Sequence, residues 1–211
     1  MKTKLEQVLP KDIEARSFEL ITEELGDRKI DEKYAPIIKR VIHTTADFDY
    51  LENLVFSPNV LEYALEAFQK KACIVTDTQM AKAGINKKAL KELEIEIYNF
   101  IADEDIAESA RINGTTRSVA CMEKAATLHR PTIFVIGNAP TALIRIYELV
   151  QEGKLKPELI IGTPVGFVNV VQSKEMILDL SIPYIIAKGR KGGSNVAAAI
   201  VNALLSYVLN G

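Results

Sequence analysis

Five short apolar runs constrain the fold of this chain more than any other feature. They are Ala72 to Thr76, Ile95 to Phe100, Thr132 to Ile136, Leu159 to Gly162 and Tyr184 to Ala187. Each is brief, rich in β-branched or aromatic residues, and apolar with little alternation. That is the pattern of parallel strands covered on both faces, not of a sheet with one face in water. Helical patterns separate the runs: Asn86 to Leu93, Ile106 to Leu128 as one or two helices, Pro140 to Glu152, Ser173 to Leu180, and Val196 to Leu209 after the last run. Strand–helix alternation of this kind predicts a three-layer α/β/α architecture around a five-stranded, mainly parallel sheet.

The segment ahead of the first run, 1–71, reads as helical and is expected to pack on a 72–211 α/β core within one domain spanning 1–211. Its first helix follows Pro10, with Ile13, Ser17, Leu20, Ile21 and Glu24 on one face and Phe18 and Leu25 flanking it. A second ends near Ala46 and starts near Lys33, because Pro36 is tolerated only in a first turn. Its apolar stripe is Tyr34, Ile37, Ile38, Val41 and Ile42. A third is expected to start at Ser57-Pro58, a cap residue followed by proline, and to run to about Lys71.

A length of 211 residues suits one domain with a sizeable core. The net charge of −2 gives no global basic field for nucleic acid, so an anionic ligand must be held by local cations. No run approaches the ~18 apolar residues of a membrane span. The first residues lack the apolar core of a signal peptide. Cys73 and Cys121 are far apart and have no metal-ligand spacing. They read as small buried hydrophobes in a reduced, cytoplasmic protein. No metal site, nucleic-acid partner or membrane partner is expected.

Ligands of open parallel sheets bind beyond the carboxyl ends of the strands. Those ends are Thr76-Asp77, Ala102-Asp103, Gly137-Asn138-Ala139-Pro140, Thr163 to Gly166, and Gly189-Arg190-Lys191-Gly192-Gly193-Ser194. In the last, glycine permits a tight turn and close backbone approach. Arg190 and Lys191 add cations, and Ser194 is placed to cap the helix that follows. The stretch reads either as an anion site at a helix N-terminus or as a tight turn with exposed cations. It has neither Walker A nor dinucleotide-fingerprint spacing.

His43 lies about 180° around its helix from Tyr34, on the side of Pro36, Lys39 and Arg40. It is either a solvent-exposed histidine or a proton donor and acceptor bordering a cleft. His129, before Arg130-Pro131, complements a helix C-terminus. Ser17, beside Arg16, is either a tolerated core residue or a hydrogen-bonding group of a site. In Thr115-Thr116-Arg117-Ser118 the threonines are cap candidates, and Arg117 fits a surface ion pair or a bidentate carboxylate contact. Asp47 and Asp49 make no persuasive acid–base dyad with His43, and no serine, histidine and acid constellation is compelling.

Taken in order, several segments carry a specific resemblance. They are Ile13-Glu14-Ala15-Arg16-Ser17-Phe18, Arg40 to Phe48 around His43, Thr115 to Ser118, Ile136 to Leu143, Pro164-Val165-Gly166-Phe167-Val168, Ser173-Lys174, and Gly189 to Ser194. The chain resembles the precorrin-8X methylmutase family of cobalamin biosynthesis, which includes the cobalt-precorrin-8 methylmutases, and the Ile13 to Phe18 opening looks more like the cobalt subgroup. The resemblance implies a flavodoxin-like fold, a homodimer, and an isomerase that moves a methyl group from carbon 11 to carbon 12 of the macrocycle by a 1,5-sigmatropic shift. The product is hydrogenobyrinate or its cobalt counterpart cobyrinate. No cofactor is consumed, and any cobalt belongs to the substrate. By matching motif, His43 takes the catalytic position, protonating or hydrogen-bonding a ring nitrogen. Arg16, Ser17, Thr116 and Arg117 match positions near the ligand. With Thr76, Asp77, Asn138, Arg190, Lys191, Gly192, Gly193 and Ser194, they form the expected contacts to a carboxylate-rich tetrapyrrole. The chain departs from the family at Asn169-Val170-Val171-Gln172, where Gly-Ala and then Glu usually precede Ser-Lys, and at Thr115, where asparagine is common. Two other classes fit the residues: a non-catalytic tetrapyrrole or corrinoid binder, and a flavin- or nucleotide-binding flavodoxin-like protein.

Overall fold

The apolar runs fold as their alternation with helices dictates, and a short sixth strand joins them. In the computed structural model, which describes residues 5–210, the chain opens with α1 (Ile13–Leu25), α2 (Ala35–Thr45), α3 (Tyr50–Asn53), β1 (Leu54–Phe56) and α4 (Val60–Gln69). There follow β2 (Cys73–Thr76), α5 (Gln79–Gly84), α6 (Lys87–Glu92), β3 (Ile97–Tyr98), α7 (Glu104–Ile112) and α8 (Arg117–Ala126). The chain closes with β4 (Thr132–Ile136), α9 (Pro140–Gln151), β5 (Leu159–Gly162), α10 (Val170–Leu178), β6 (Tyr184–Ala187) and α11 (Ser194–Asn210).

The sheet order is β1-β6-β5-β4-β2-β3, and only the β1–β6 pair is antiparallel. Taken alone, the parallel strands run in the doubly wound order 2-1-3-4-5 of flavodoxin-like sheets. Register is set by Cys73 opposite Thr132, Ile133 opposite Leu159 and Ile160 opposite Tyr184. Successive residues of each strand enter different core layers. Ile74, Ile133, Ile161 and Ile185 pack under α2, α4 and α11, whereas Val75, Phe134, Ile160 and Ile186 pack under α8, α9 and α10. Both faces are covered, which is why these strands show no polar alternation. Full burial of each such side chain contributes about 1.5–3 kcal/mol.

The expected five-stranded count and the all-helical reading of 1–71 are corrected by β1. Three residues carry no period that a sequence pattern can register. The strand is held by pairing with β6: Leu54 lies opposite Ala187, the Asn53 carbonyl accepts from Lys188 N at 2.7 Å, and Ser57 N donates to the Tyr184 carbonyl at 3.0 Å. Ser57, expected as a helix cap, instead accepts from Tyr184 N at 2.9 Å, and α4 starts only at Val60. The Ile106 to Leu128 pattern is two helices, broken at Asn113-Gly114, where Gly114 has φ 60°. The helix over 79–84 was not anticipated. In α1 the apolar face is rotated from expectation: Ile21 and Leu25 are buried, whereas Ile13 and Leu20 are 53% and 43% exposed.

Candidate functional site

The carboxyl ends of the strands are tied together by one buried carboxylate. Asp77, just beyond β2, accepts from Gly137 N at 2.8 Å through one oxygen, and from Asn138 N and Ala139 N at 2.8 and 2.7 Å through the other. Burial pushes its carboxyl above the usual aspartate range, and the backbone donors pull against that shift. Asp77 therefore shapes the turn into α9, and both its oxygens are occupied. Thr76 lies fully buried below the rim, where its hydroxyl meets the Thr78 and Tyr98 carbonyls at 3.2 and 3.3 Å. Asn138 stands exposed at the rim.

The glycine-rich loop packs against this turn backbone to backbone. A Cβ on Gly137 would fall 2.6 Å from Ser194 Cα, and one on Gly192 would fall 2.1 Å from the Thr163 carbonyl oxygen. Gly193 N donates to Thr163 O at 2.8 Å, and Gly166 N donates to Arg190 O at 3.1 Å. Ser194 was expected to cap α11. It is instead the first residue of that helix, and its hydroxyl lies 2.7 Å from Thr78 Oγ1, which itself caps α5. Gly193 takes the cap position, its carbonyl accepting from Ala197 N at 3.0 Å.

Two lysines hold the loop from opposite sides. Lys191 Nζ binds Asp47 at 2.7 Å and Asp49 at 2.6 Å. The pair of aspartates raises the Lys191 pKa, and Lys191 lowers that of Asp47. Lys174, on α10, is 1% exposed and donates to the Gly189 and Lys191 carbonyls at 2.8 and 2.9 Å. Burial takes its pKa down to about 8. Lys174 was not among the expected site residues, although the sequence carried a signal. It sits within the buried stripe Val170, Ser173, Lys174, Ile177, a helical spacing that puts a charged residue among core positions.

Arg190 is exposed, with its guanidinium 5.7 Å from the centre of the Phe167 ring. Phe167 is itself 83% exposed, and Val165 and Val168 are exposed beside it. The loop after β5 thus forms an apolar lip next to a cation. The departure at Asn169 keeps the backbone that glycine would adopt: φ is 57°, a left-handed conformation that asparagine tolerates better than most residues. Val170 is buried and Gln172 is exposed.

His43 lies in the last turn of α2 with its ring exposed and stacked on Phe18 at 5.3 Å. Arg40 covers the same phenyl ring at 5.0 Å and pairs with Glu14. Pro36, Lys39 and Arg40 line a groove of about 910 Å³ together with Phe18 and Tyr207. His43 continues that face one turn beyond Lys39. It also precedes the 47–49 turn that Lys191 grips.

The remaining expected residues are placed less directly. Arg16 pairs with Glu6, Glu19 and Glu23 at 2.7, 3.1 and 3.4 Å, and its pKa is raised. The Ser17 hydroxyl donates to Ile13 O at 2.8 Å. Both polar groups are thus satisfied by α1 and Glu6, although Phe18 of the same helix carries His43. Thr116 caps α8 by accepting from Val119 N at 3.2 Å, and its hydroxyl lies 3.1 Å from that of Thr141 in the first turn of α9. Arg117 follows it, exposed. The structure therefore gathers Asp77, Asn138, Thr116, Arg190 to Ser194 and the 47–49 turn along one edge of the sheet. Arg16 and Ser17 are not drawn to it.

A sequence model of the family described as precorrin-8X methylmutase matches residues 12–207. The chain belongs to the precorrin-8X methylmutase family. Among relatives in this methylmutase family, the cobalt-precorrin-8 methylmutase of Salmonella typhimurium is 44% identical over 205 residues, covering 94% of this chain and 96% of that one. The cobalt-precorrin-8 methylmutase of Priestia megaterium is 43% identical over 197 residues, covering 93% and 88%. The crystal structure of the precorrin-8X methylmutase from Thermus thermophilus superimposes with a TM-score of 0.86 at 33% identity, covering 95% of this chain and 98% of that one. Membership makes the protein an enzyme of the isomerase class. Among the described residues no helix is long and apolar enough to cross a membrane.

Proposed function

We propose that this protein moves a methyl group from carbon 11 to carbon 12 of a precorrin-8 macrocycle, in its cobalt form, to give cobyrinate. The cobalt preference is supported by the names of the relatives that are 43% and 44% identical. The metal-free substrate, giving hydrogenobyrinate, is the alternative within the same reaction. The observation that carries the reading is the exposed His43 ring, stacked on Phe18, which also lines the groove, and four residues ahead of Asp47, which Lys191 of the glycine-rich loop binds.

An intramolecular shift needs no nucleophile and no external redox partner. It needs a macrocycle held in one orientation and a proton placed on the correct ring nitrogen. His43 supplies the proton or hydrogen bond, an effect worth roughly 10²–10⁴-fold in rate for a well-placed group. The ligand is a partly apolar disc fringed with carboxylates. The lip at Val165, Phe167 and Val168 suits its apolar surface, and Arg190, Lys191, Arg117, Asn138, Thr116 and the loop amides suit its fringe. Lys191 reaches a substrate carboxylate by exchanging it for Asp47 and Asp49. Arg16 and Ser17 join the contacts if α1 shifts its side chains on binding. No cofactor is consumed in this reading, and cobalt enters only as part of the substrate.

A homodimer belongs to the same proposal. Ile13 and Leu20 leave apolar surface exposed on α1 that a symmetric partner would cover. A cytoplasmic location is supported by two free, buried cysteines.

The test mixes purified protein with precorrin-8 or its cobalt form and follows the visible spectrum. Conversion by the wild type is expected, with His43→Ala binding the pigment but converting it at least ~10²-fold more slowly. Binding by folded wild type without conversion of either form would assign the protein to non-catalytic pigment carriers. Co-purified flavin or nucleotide would favour the third reading.

A further inference from the structure

Consecutive carbonyl groups in the glycine-rich loop are all drawn inward. Lys174 Nζ takes those of Gly189 and Lys191 at 2.8 and 2.9 Å, and Gly166 N takes that of Arg190 between them at 3.1 Å. The N–H groups of the same stretch are left over. Among the described residues, those of Arg190, Lys191 and Gly192 have no backbone or side-chain acceptor. Three successive carbonyls of the loop are thus bound by the protein while three successive N–H groups are left without a protein acceptor, and main-chain N–H groups left over in a turn of this kind attract anions. One side chain is responsible for two of the three inward bonds.

The same side chain carries a charge that no carboxylate among the described residues pairs with. Lys174 is 1% exposed, and burial alone accounts for the depression of its pKa, with no carboxylate contributing. A buried ammonium without a counter-ion is costly. Placed directly under the loop, it adds positive potential where an incoming carboxylate would sit, and that carboxylate would supply the missing counter-charge from the outer side.

We propose that Lys174 is a positioning residue of the substrate site: it turns the 189–191 carbonyls away from the ligand so that the loop offers amides and Arg190 to the acidic fringe of the macrocycle. The role rests on the tetrapyrrole reading of the site. It operates through the loop and requires no contact between Lys174 and substrate.

The experiment compares wild type, Lys174→Met and Lys174→Gln in three measurements: thermal unfolding, turnover of cobalt-precorrin-8, and affinity for the corrinoid product as free acid and as its full methyl ester. The methionine variant is expected to fold, to raise KM by roughly tenfold or more with a smaller change in kcat, and to lose a similar factor in affinity for the acid, the scale of one charge-assisted contact. Affinity for the ester, which has no carboxylates to grip, should stay within about twofold of wild type. The glutamine variant keeps an amide NH2 donor without the charge and should fall between wild type and the methionine variant. Equal losses for acid and ester, or no loss for either, would overturn the proposal. Failure of both variants to fold would overturn it too, by assigning Lys174 to the core. If wild type itself neither converts nor binds the pigment, the functional reading fails and the role of Lys174 falls with it, which is a distinct result.

Discussion

Two buried charges, Asp77 and Lys174, organise the carboxyl edge of the sheet, and each holds backbone groups of a neighbouring loop. Asp77 holds amides and Lys174 holds carbonyls. Lys174 titrates at about 8, against 10.5 for an ordinary lysine. Between those values the unfolded chain binds a proton that the folded protein has released, so raising pH through this window favours folding. Below about 8 both states are protonated and the penalty of the buried charge is felt in full. Urea unfolding of wild type and Lys174→Met at both ends of the window should therefore show wild type gaining stability relative to the variant as pH rises. Titration of the other lysines and of tyrosines cancels in that difference. Sequence reading was uneven at this scale. The polar side of α2 gave away an exposed His43, because helical geometry fixes the angle between residues. The duty of Asp77 was invisible, because its partners are amides some sixty positions away.

At the scale of elements, the inner parallel strands were legible because both faces are buried and nearly every position is apolar, Thr76 and Thr132 being the exceptions. The edge strand β1 was not, because its conformation is imposed by β6 and not by its own three residues. Val55 lies opposite Ile186, flanked by bonded pairs at Asn53–Lys188 and Ser57–Tyr184. Antiparallel alternation makes Val55 the next bonded position. Val55→Pro removes that donor and should cost about 1–3 kcal/mol, read by urea unfolding, with faster hydrogen exchange at the Lys188 and Ser57 amides. It should also weaken pigment binding, since β1 anchors the turn whose aspartates hold Lys191. In α1 the periodicity was right and the direction wrong. Ile13 and Leu20 are apolar yet face outward, and an apolar face turned to solvent looks the same in sequence as one turned to the core.

Across the whole molecule, the surface beside the rim is more apolar than solvent contact alone explains. Phe167 and Val168 are 83% and 79% exposed. Phe167→Ser should leave the unfolding free energy within about 0.5 kcal/mol of wild type, as exposed positions do. Its affinity for the corrinoid product should fall, measured by fluorescence or absorbance titration. A large loss of stability would instead place Phe167 in a packed interface of the folded assembly. The three-layer architecture was readable from strand–helix alternation. How the rim is assembled was not readable, since its ties join positions far apart in the chain.

The contact of Gly137 with Ser194 and of Gly192 with Thr163 has a consequence for anyone who wishes to redesign this enzyme. At both positions even a methyl group would collide with main chain, which cannot rotate aside. A randomised library at 137 and 192 would return the parental residue or misfolded protein. On the proposed reading of the site, altered pigment selectivity has to be sought at Asn138, Phe167 and Arg190, which are exposed.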